Sequence, residues 1–170
     1  MKKTVYLDMD GVLVDLEKGL HIMFNVDNII SDRDMLFNRH LPLYAVNGGW
    51  GKAPKMPCAD SLVEFLIDLK SNDKINLAIL TSVGKFYSPA SKIVNQKKIW
   101  VEDNFKGLIG IPFCTTYSGS DKSMFAHGNA ILIDDYLNNI EKFIDKGGIG
   151  IHYQESKFDF IMNTLVEKIG

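Results

Sequence analysis

Asp8 and Asp10 stand two residues apart near the start of the chain, where an apolar, β-favouring run (residues 4–7) ends, and Gly11 follows them. Alternate residues of a strand share a face, so both carboxylates can address one small volume. Two acids held that close repel unless a positive charge lies between them, and a divalent cation is the usual partner of such oxygens. A single Asp-x-Asp also describes an ordinary acidic turn after a strand. The decision therefore rests on what accompanies it.

Three further stretches carry chemistry. Thr81-Ser82 closes a buried apolar run at 75–80, Asp121-Lys122 sits in a polar loop at 118–123, and Asp134-Asp135 closes the run 130–133. Each falls at or just beyond the carboxyl end of an expected strand, the rim where open α/β sheets bind ligands. Acids, hydroxyls and one ammonium on a common rim suit phosphoryl transfer through a carboxylate nucleophile. The developing charge is met by a metal, an ammonium and hydroxyl or amide donors. Asp8 fits the nucleophile and Asp10 the general acid and base. Thr81, Ser82 and Lys122 fit a phosphate clamp. Asp8 and Asp10, with Asp134 and Asp135 on the far side, fit a site for Mg2+, which takes oxygen ligands and keeps several waters.

The elements that must position these residues follow from periodicity. Apolar residues at Leu13, Leu16, Leu20, Met23 and Phe24 predict a helix over 13–24, broken at 27–30. A second helix, capped by Ser31, is expected to end before Pro42, and 44–57 reads as a loop with exposed aromatics. Beyond it, strands at 75–80, 108–115, 130–133 and 149–153 alternate with helices at 91–105, around 140–144 and at 158–169. A helix capped by Asp60 or Ser61 precedes them. This predicts an α/β fold: a doubly wound, Rossmann-like parallel sheet of about five strands with helices on both faces. One domain over 1–170 is expected, with a small helical cap inserted after the first strand at about 15–57.

Composition narrows the classes. Hydrophobic residues make up 46% and charged residues 24%, with a net charge of −2, so no basic field favours duplex nucleic acid. No apolar run approaches membrane-spanning length, and the basic start Met1-Lys2-Lys3 precedes a run cut by Asp8 and Asp10, a poor signal peptide. Cys58 and Cys114 match neither a zinc spacing nor a disulfide framework. Buried free thiols in a reducing cytoplasm are expected. His21, His40, His127 and His152 have no ligand spacing, Trp100 reads as core, and Asn138-Asn139 reads as a solvated face.

Asp8-Met9-Asp10-Gly11-Val12, Leu80-Thr81-Ser82, Asp121-Lys122 and Ile133-Asp134-Asp135 resemble, in order, the motifs of the haloacid dehalogenase superfamily of phosphohydrolases. The second Asp of the first motif points to its phosphatase branch. Residues 85–89, 98–105 and 132–135 are in addition similar to the 5'(3')-deoxyribonucleotidase family. That resemblance implies Asp8 as nucleophile, Asp10 as acid/base and metal ligand through its carbonyl, and Asp134 as a direct Mg2+ ligand with Asp135 close by. Thr81, Ser82 and Lys122 would hold the phosphate, and aromatics of the cap would form a base pocket. Phe24, Phe37, Tyr44 and Trp50 are the candidates, and Ser120 stands where the family often has Arg. The substrate implied is a small-molecule phosphomonoester, a nucleoside monophosphate. The alternative is a sugar phosphate or other small phosphometabolite. A non-hydrolytic phosphoacceptor receiver would use the same residue types, but its phosphorylated Asp follows the third strand and it needs no cap. Oligomeric state stays open, a homodimer included.

Overall fold

The computed structural model describes residues 1–25, 33–84 and 89–170, with the backbone alone for 33–36 and 38. The break at 27–30, the cap at Ser31 and the stretch 85–88 lie outside the described residues. In chain order come β1 (Lys3–Leu7), α1 (Leu16–Phe24), α2 (Arg33–Val46), α3 (Ala59–Ser71), β2 (Ile75–Ser82) and α4 (Ala90–Asn104). β3 (Phe113–Thr116), β4 (Ala130–Asp134), α5 (Leu137–Asp145), β5 (Ile149–His152) and α6 (Phe158–Ile169) follow. Two 3₁₀ helices, Gly49–Lys52 and Gly119–Phe125, matter for the site.

The five strands lie in the order β3-β2-β1-β4-β5, all parallel. Register explains the two-sided core. Val5 pairs with Leu77 and Ile131, and Leu7 with Ile79 and Ile133. This row packs with Leu62 of α3, Trp100 of α4 and Leu165 of α6. Their neighbours in sequence, Leu80 and Leu132 with Tyr6, turn to the opposite face and pack with Ile140 and Phe143 of α5. A strand covered on both sides has no polar face, which is why these segments read as continuous apolar runs. The doubly wound α/β architecture expected from the sequence is the one observed.

The departures are local, and tertiary contacts cause them. α2 does not end before Pro42 but runs through it to Val46. Proline costs a helix a hydrogen bond, yet continuing buries Tyr44 and Ala45 and lets Gln96 of α4 donate to the Ala45 carbonyl at 2.9 Å. Residues 44–57 are not a loop with exposed aromatics. Tyr44 and Trp50 are each 1% exposed and meet edge to face at 5.4 Å. Gly49 makes this packing possible, because a Cβ there would lie 2.4 Å from the Tyr44 ring. α3 is capped at Cys58 rather than Asp60 or Ser61. Its N–H donates to Glu155 Oε1 at 2.7 Å, while Asp60 is drawn to Lys55. β3 is shorter than 108–115, since Lys106–Leu108 form a 3₁₀ turn. Cys58 and Cys114 are free but half-buried. No helix among the described residues is long and apolar enough to cross a membrane.

The insertion leaves and re-enters the sheet through a paired neck. Gly11, at φ +79°, turns the chain so that its N–H meets the Val14 carbonyl at 2.8 Å. Val14 then bridges antiparallel to Lys55, with Met56 N–H on the Leu13 carbonyl at 2.8 Å and Asp15 N–H on the Pro54 carbonyl at 2.9 Å.

Candidate active site

Asp8 is the first residue beyond β1, and its N–H still reaches the Ile133 carbonyl of β4 at 3.0 Å. Its Oδ1 accepts from the Met9 N–H at 2.7 Å and lies 2.6 Å from the Lys122 ammonium. Among the described residues both donors fall on Oδ1. Lys122 is buried and reaches Asp134 Oδ2 at the same 2.6 Å. What aims it is local: the 3₁₀ helix carrying Lys122 starts with a capping box, in which Asp121 accepts from the Ser118 N–H at 2.9 Å. In the Asp121-Lys122 pair, the acid shapes the backbone and the ammonium reaches Asp8 and Asp134.

Asp134 ends β4 fully buried. Its carboxylate accepts from the Tyr136 N–H at 2.9 Å and from Asn139 Nδ2 at 3.1 Å on each oxygen. Asp135 lies against Gly11, where a Cβ would come within 2.2 Å of its Oδ2. Glycine at 11 thus serves both the turn and the approach of Asp135. Asp8, Asp134 and Asp135 each offer an oxygen within 4.8 Å of one another. Three hard carboxylate donors fit Mg2+. Burial pushes the Asp8 carboxyl well above the usual carboxylate range; Lys122 pulls it down, and the charges of Asp134, Asp10 and Asp135 raise it further. Burial would lower the Lys122 ammonium, but Asp8 and Asp134 more than offset that and hold it above the ordinary lysine value.

Asp10 faces different partners. Trp50 Nε1–H donates to its Oδ1 at 2.8 Å, and the Lys97 ammonium to its Oδ2 at 2.5 Å. Lys97 comes from α4, is 0% exposed, and gives its remaining protons to Thr81 Oγ1 at 2.8 Å and the Ser82 carbonyl at 2.7 Å. Its Nζ also stands 4.9 Å from the centre of the Trp50 ring.

A cavity of about 720 Å³ opens above these groups. Asp8, Asp10, Ser82, Lys122 and Asp135 line its floor. Leu16, Phe37, Leu41 and Met56 form an apolar wall on the inserted side, and Ser118, Ser120 and Tyr136 stand opposite. Of the cap aromatics, Phe37 alone lines it among the described residues. Phe24 packs on His40, Tyr44 is buried beneath Gly49, and Trp50 turns its indole N–H to Asp10, so none of these three stands where a base would stack. Thr81 is fully buried behind Ser82, on Lys97 rather than on the cavity wall.

No protein-family model matches the sequence, and no curated protein sequence is significantly similar to it. Solved structures are similar in fold. A haloacid dehalogenase-like family hydrolase from Streptococcus pneumoniae superposes with a TM-score of 0.59 at 12% identity, covering 99% of either chain. A haloacid dehalogenase-superfamily hydrolase from Ehrlichia chaffeensis gives 0.57 at 14% over 100% of each chain. A hydrolase from Pseudomonas syringae gives 0.53 at 14%, over 98% of this chain and 99% of its own. The chain has the haloacid dehalogenase-like fold.

Within that fold the structure gathers Asp8, Asp10, Ser82, Lys122, Asp134 and Asp135 at one rim. It adds two side chains that sequence reading passes over. Asn139, expected on a solvated face, is buried on Asp134. Lys97 is the larger omission, and a signal for it existed: it shares one helical face with Ile93, Trp100 and Val101, all buried. A lysine in register with a core stripe needs a buried acceptor.

Proposed function

We propose that the protein is a Mg2+-dependent phosphomonoesterase acting on nucleoside monophosphates, deoxyribonucleotides above all, through an aspartyl-phosphate on Asp8. The observation that carries this is the Lys122 ammonium lying 2.6 Å from both Asp8 Oδ1 and Asp134 Oδ2, with Asp135 in the same oxygen cluster. It provides an attacking carboxylate, a fixed positive charge for the phosphoryl oxygens and a donor set for a cation at one point.

Asp8, Asp134 and Asp135 would hold Mg2+, with the Asp10 carbonyl as a further ligand. The bound ion supplies charge neutralisation of the phosphoryl group and favours the carboxylate form of Asp8. In the first step Asp8 Oδ2 bonds to phosphorus, the bond to the ester oxygen breaks, and Asp10 gives that oxygen its proton. In the second, Asp10 takes a proton from water as the water attacks phosphorus. The Asp8–phosphorus bond breaks, and inorganic phosphate leaves with Asp8 a carboxylate again. Lys122 holds the phosphoryl oxygens throughout, with Ser82 on the cavity floor completing the clamp, while Thr81, buried behind it on Lys97, does not reach them.

The apolar wall of Leu16, Phe37, Leu41 and Met56 favours a leaving group with a flat apolar face, such as a nucleoside, over a polyhydroxylated sugar. The cytoplasm, where Cys58 and Cys114 stay reduced, is the proposed setting. A panel of deoxy and ribo, 5' and 3' monophosphates with sugar phosphates, assayed with Mg2+, tests the reading. Phosphate release highest from deoxynucleotides is expected. Release from sugar phosphates alone contradicts the substrate, and no release from any ester contradicts the reaction.

A further inference from the structure

Asp10 has two jobs in the proposed reaction, and its side chain is not fixed by β1, which ends at Leu7. It is fixed by donors from two other parts of the chain. The segment returning from the insertion brings Trp50 Nε1–H to Oδ1, and α4 brings Lys97 to Oδ2. These donors are themselves held. All three protons of Lys97 are committed, to Asp10, Thr81 and the Ser82 carbonyl. Trp50 is buried edge-on to Tyr44 with the Lys97 ammonium over its ring. The same face of α4 fastens the returning segment on either side of Trp50. Gln96 donates to the Ala45 carbonyl at 2.9 Å, and Trp100 Nε1–H to the Ala53 carbonyl at 2.9 Å. A fully buried ammonium is expensive unless every proton is satisfied, and here each has a partner that bears on the reaction centre.

We infer that Lys97 and Trp50 are the positioning residues for Asp10, holding its carboxylate at the rim so that it can serve the leaving oxygen and then the water. The inference rests on the phosphotransfer reading above and deepens it. The side chains that orient the acid/base come from α4 and the inserted segment, whereas the nucleophile is oriented at the sheet. Neither residue touches the phosphoryl group; they act through Asp10.

Two variants and two esters test it. Trp50→Phe keeps the ring packed on Tyr44 and removes only the N–H to Asp10; Lys97→Met keeps length and removes the ammonium. A nucleoside monophosphate has an alkoxide leaving group that needs a proton, whereas 4-nitrophenyl phosphate loses a stable phenolate without one. The expected result is a fall in kcat on the nucleotide of about tenfold for Trp50→Phe and more for Lys97→Met, with KM little changed. With 4-nitrophenyl phosphate, a rapid-mixing burst of nitrophenolate stays near the wild-type rate, and only the later turnover slows. Equal losses in the burst and in nucleotide turnover, or no loss in either variant, would overturn the inference. If Lys97→Met does not fold, Trp50→Phe decides. If the wild-type protein hydrolyses neither ester, the phosphatase reading falls. Crystal structures of the variants then judge the positioning: a displaced Asp10 carboxylate supports it, and an unmoved one overturns it.

Discussion

Two buried lysines serve the two carboxylates of the first motif, and their surroundings differ in charge. Lys122 lies between Asp8 and Asp134, and Asp135 joins these two in one cluster of carboxylate oxygens. Among the described residues Lys97 faces Asp10 alone of the carboxylates, and its other partners are a hydroxyl and a carbonyl. The first region gathers three carboxylates at one point, and the second sets one carboxylate against one ammonium. That difference separates their tasks. A cluster of three carboxylates is a place for a divalent cation. A balanced pair with every proton committed holds a side chain in place.

The largest effect expected from disturbing either region is at Asp8, the proposed nucleophile. Asp8→Asn should lose about 10³-fold or more in kcat, read as phosphate release at saturating substrate. The lysines come next, and together they break or sharpen the contrast. Removing one partner of a buried pair costs about 3–5 kcal/mol, so Lys122→Met and Lys97→Met should both lower Tm in metal-free protein. Mg2+ should return much of the loss in Lys122→Met, where it becomes the cation among three acids, and little in Lys97→Met. Equal recovery in the two variants would remove the distinction.

A smaller effect follows from pH. Asp8 titrates higher in the folded chain than the unfolded value of about 3.9. Its contribution to metal-free stability is present below that value and is lost as pH rises through its raised pKa. Mg2+ requires the carboxylate form, so the rise in Tm on adding Mg2+ should grow with pH over the same window. A shift that is flat or falls with pH would contradict Asp8 as a ligand for Mg2+. The smallest effect concerns the wall: Phe37→Ala should raise KM for nucleotides several-fold, roughly 1 kcal/mol of lost apolar contact, with kcat nearly unchanged.

The contrast also explains what could be read from the sequence. The rim around Asp8 is legible because strand register controls it. Apolar runs announce the strands, and a parallel sheet brings the residues after Leu7, Leu80 and Ile133 to one edge. The surroundings of Asp10 depend on contacts across long separations, 87 residues to Lys97 and 40 to Trp50; the helical pattern of α4 marks Lys97 for burial but does not say which acid it meets. The insertion misleads for the same reason. Pro42 signals a helix end, and Gly48, Gly49 and Gly51 signal an open loop. Burial of Tyr44 on Gly19 and Trp50, and of Trp50 on Lys97 of α4, overrides both signals. Asn139 reads as solvent-facing in an Asn-Asn pair because nothing in its neighbourhood reveals the buried carboxylate it caps.

The central claim is that Asp8 carries the phosphoryl group while Asp10 moves protons. The most direct measurement is to quench the protein in acid during turnover of a nucleotide with Mg2+, reduce any acyl phosphate with borohydride, and map the peptides by mass spectrometry. The account predicts conversion of aspartate to homoserine at position 8, with Asp10 unmodified. Modification at position 10 or 134 instead, or no acyl phosphate in protein that is turning over, would contradict it.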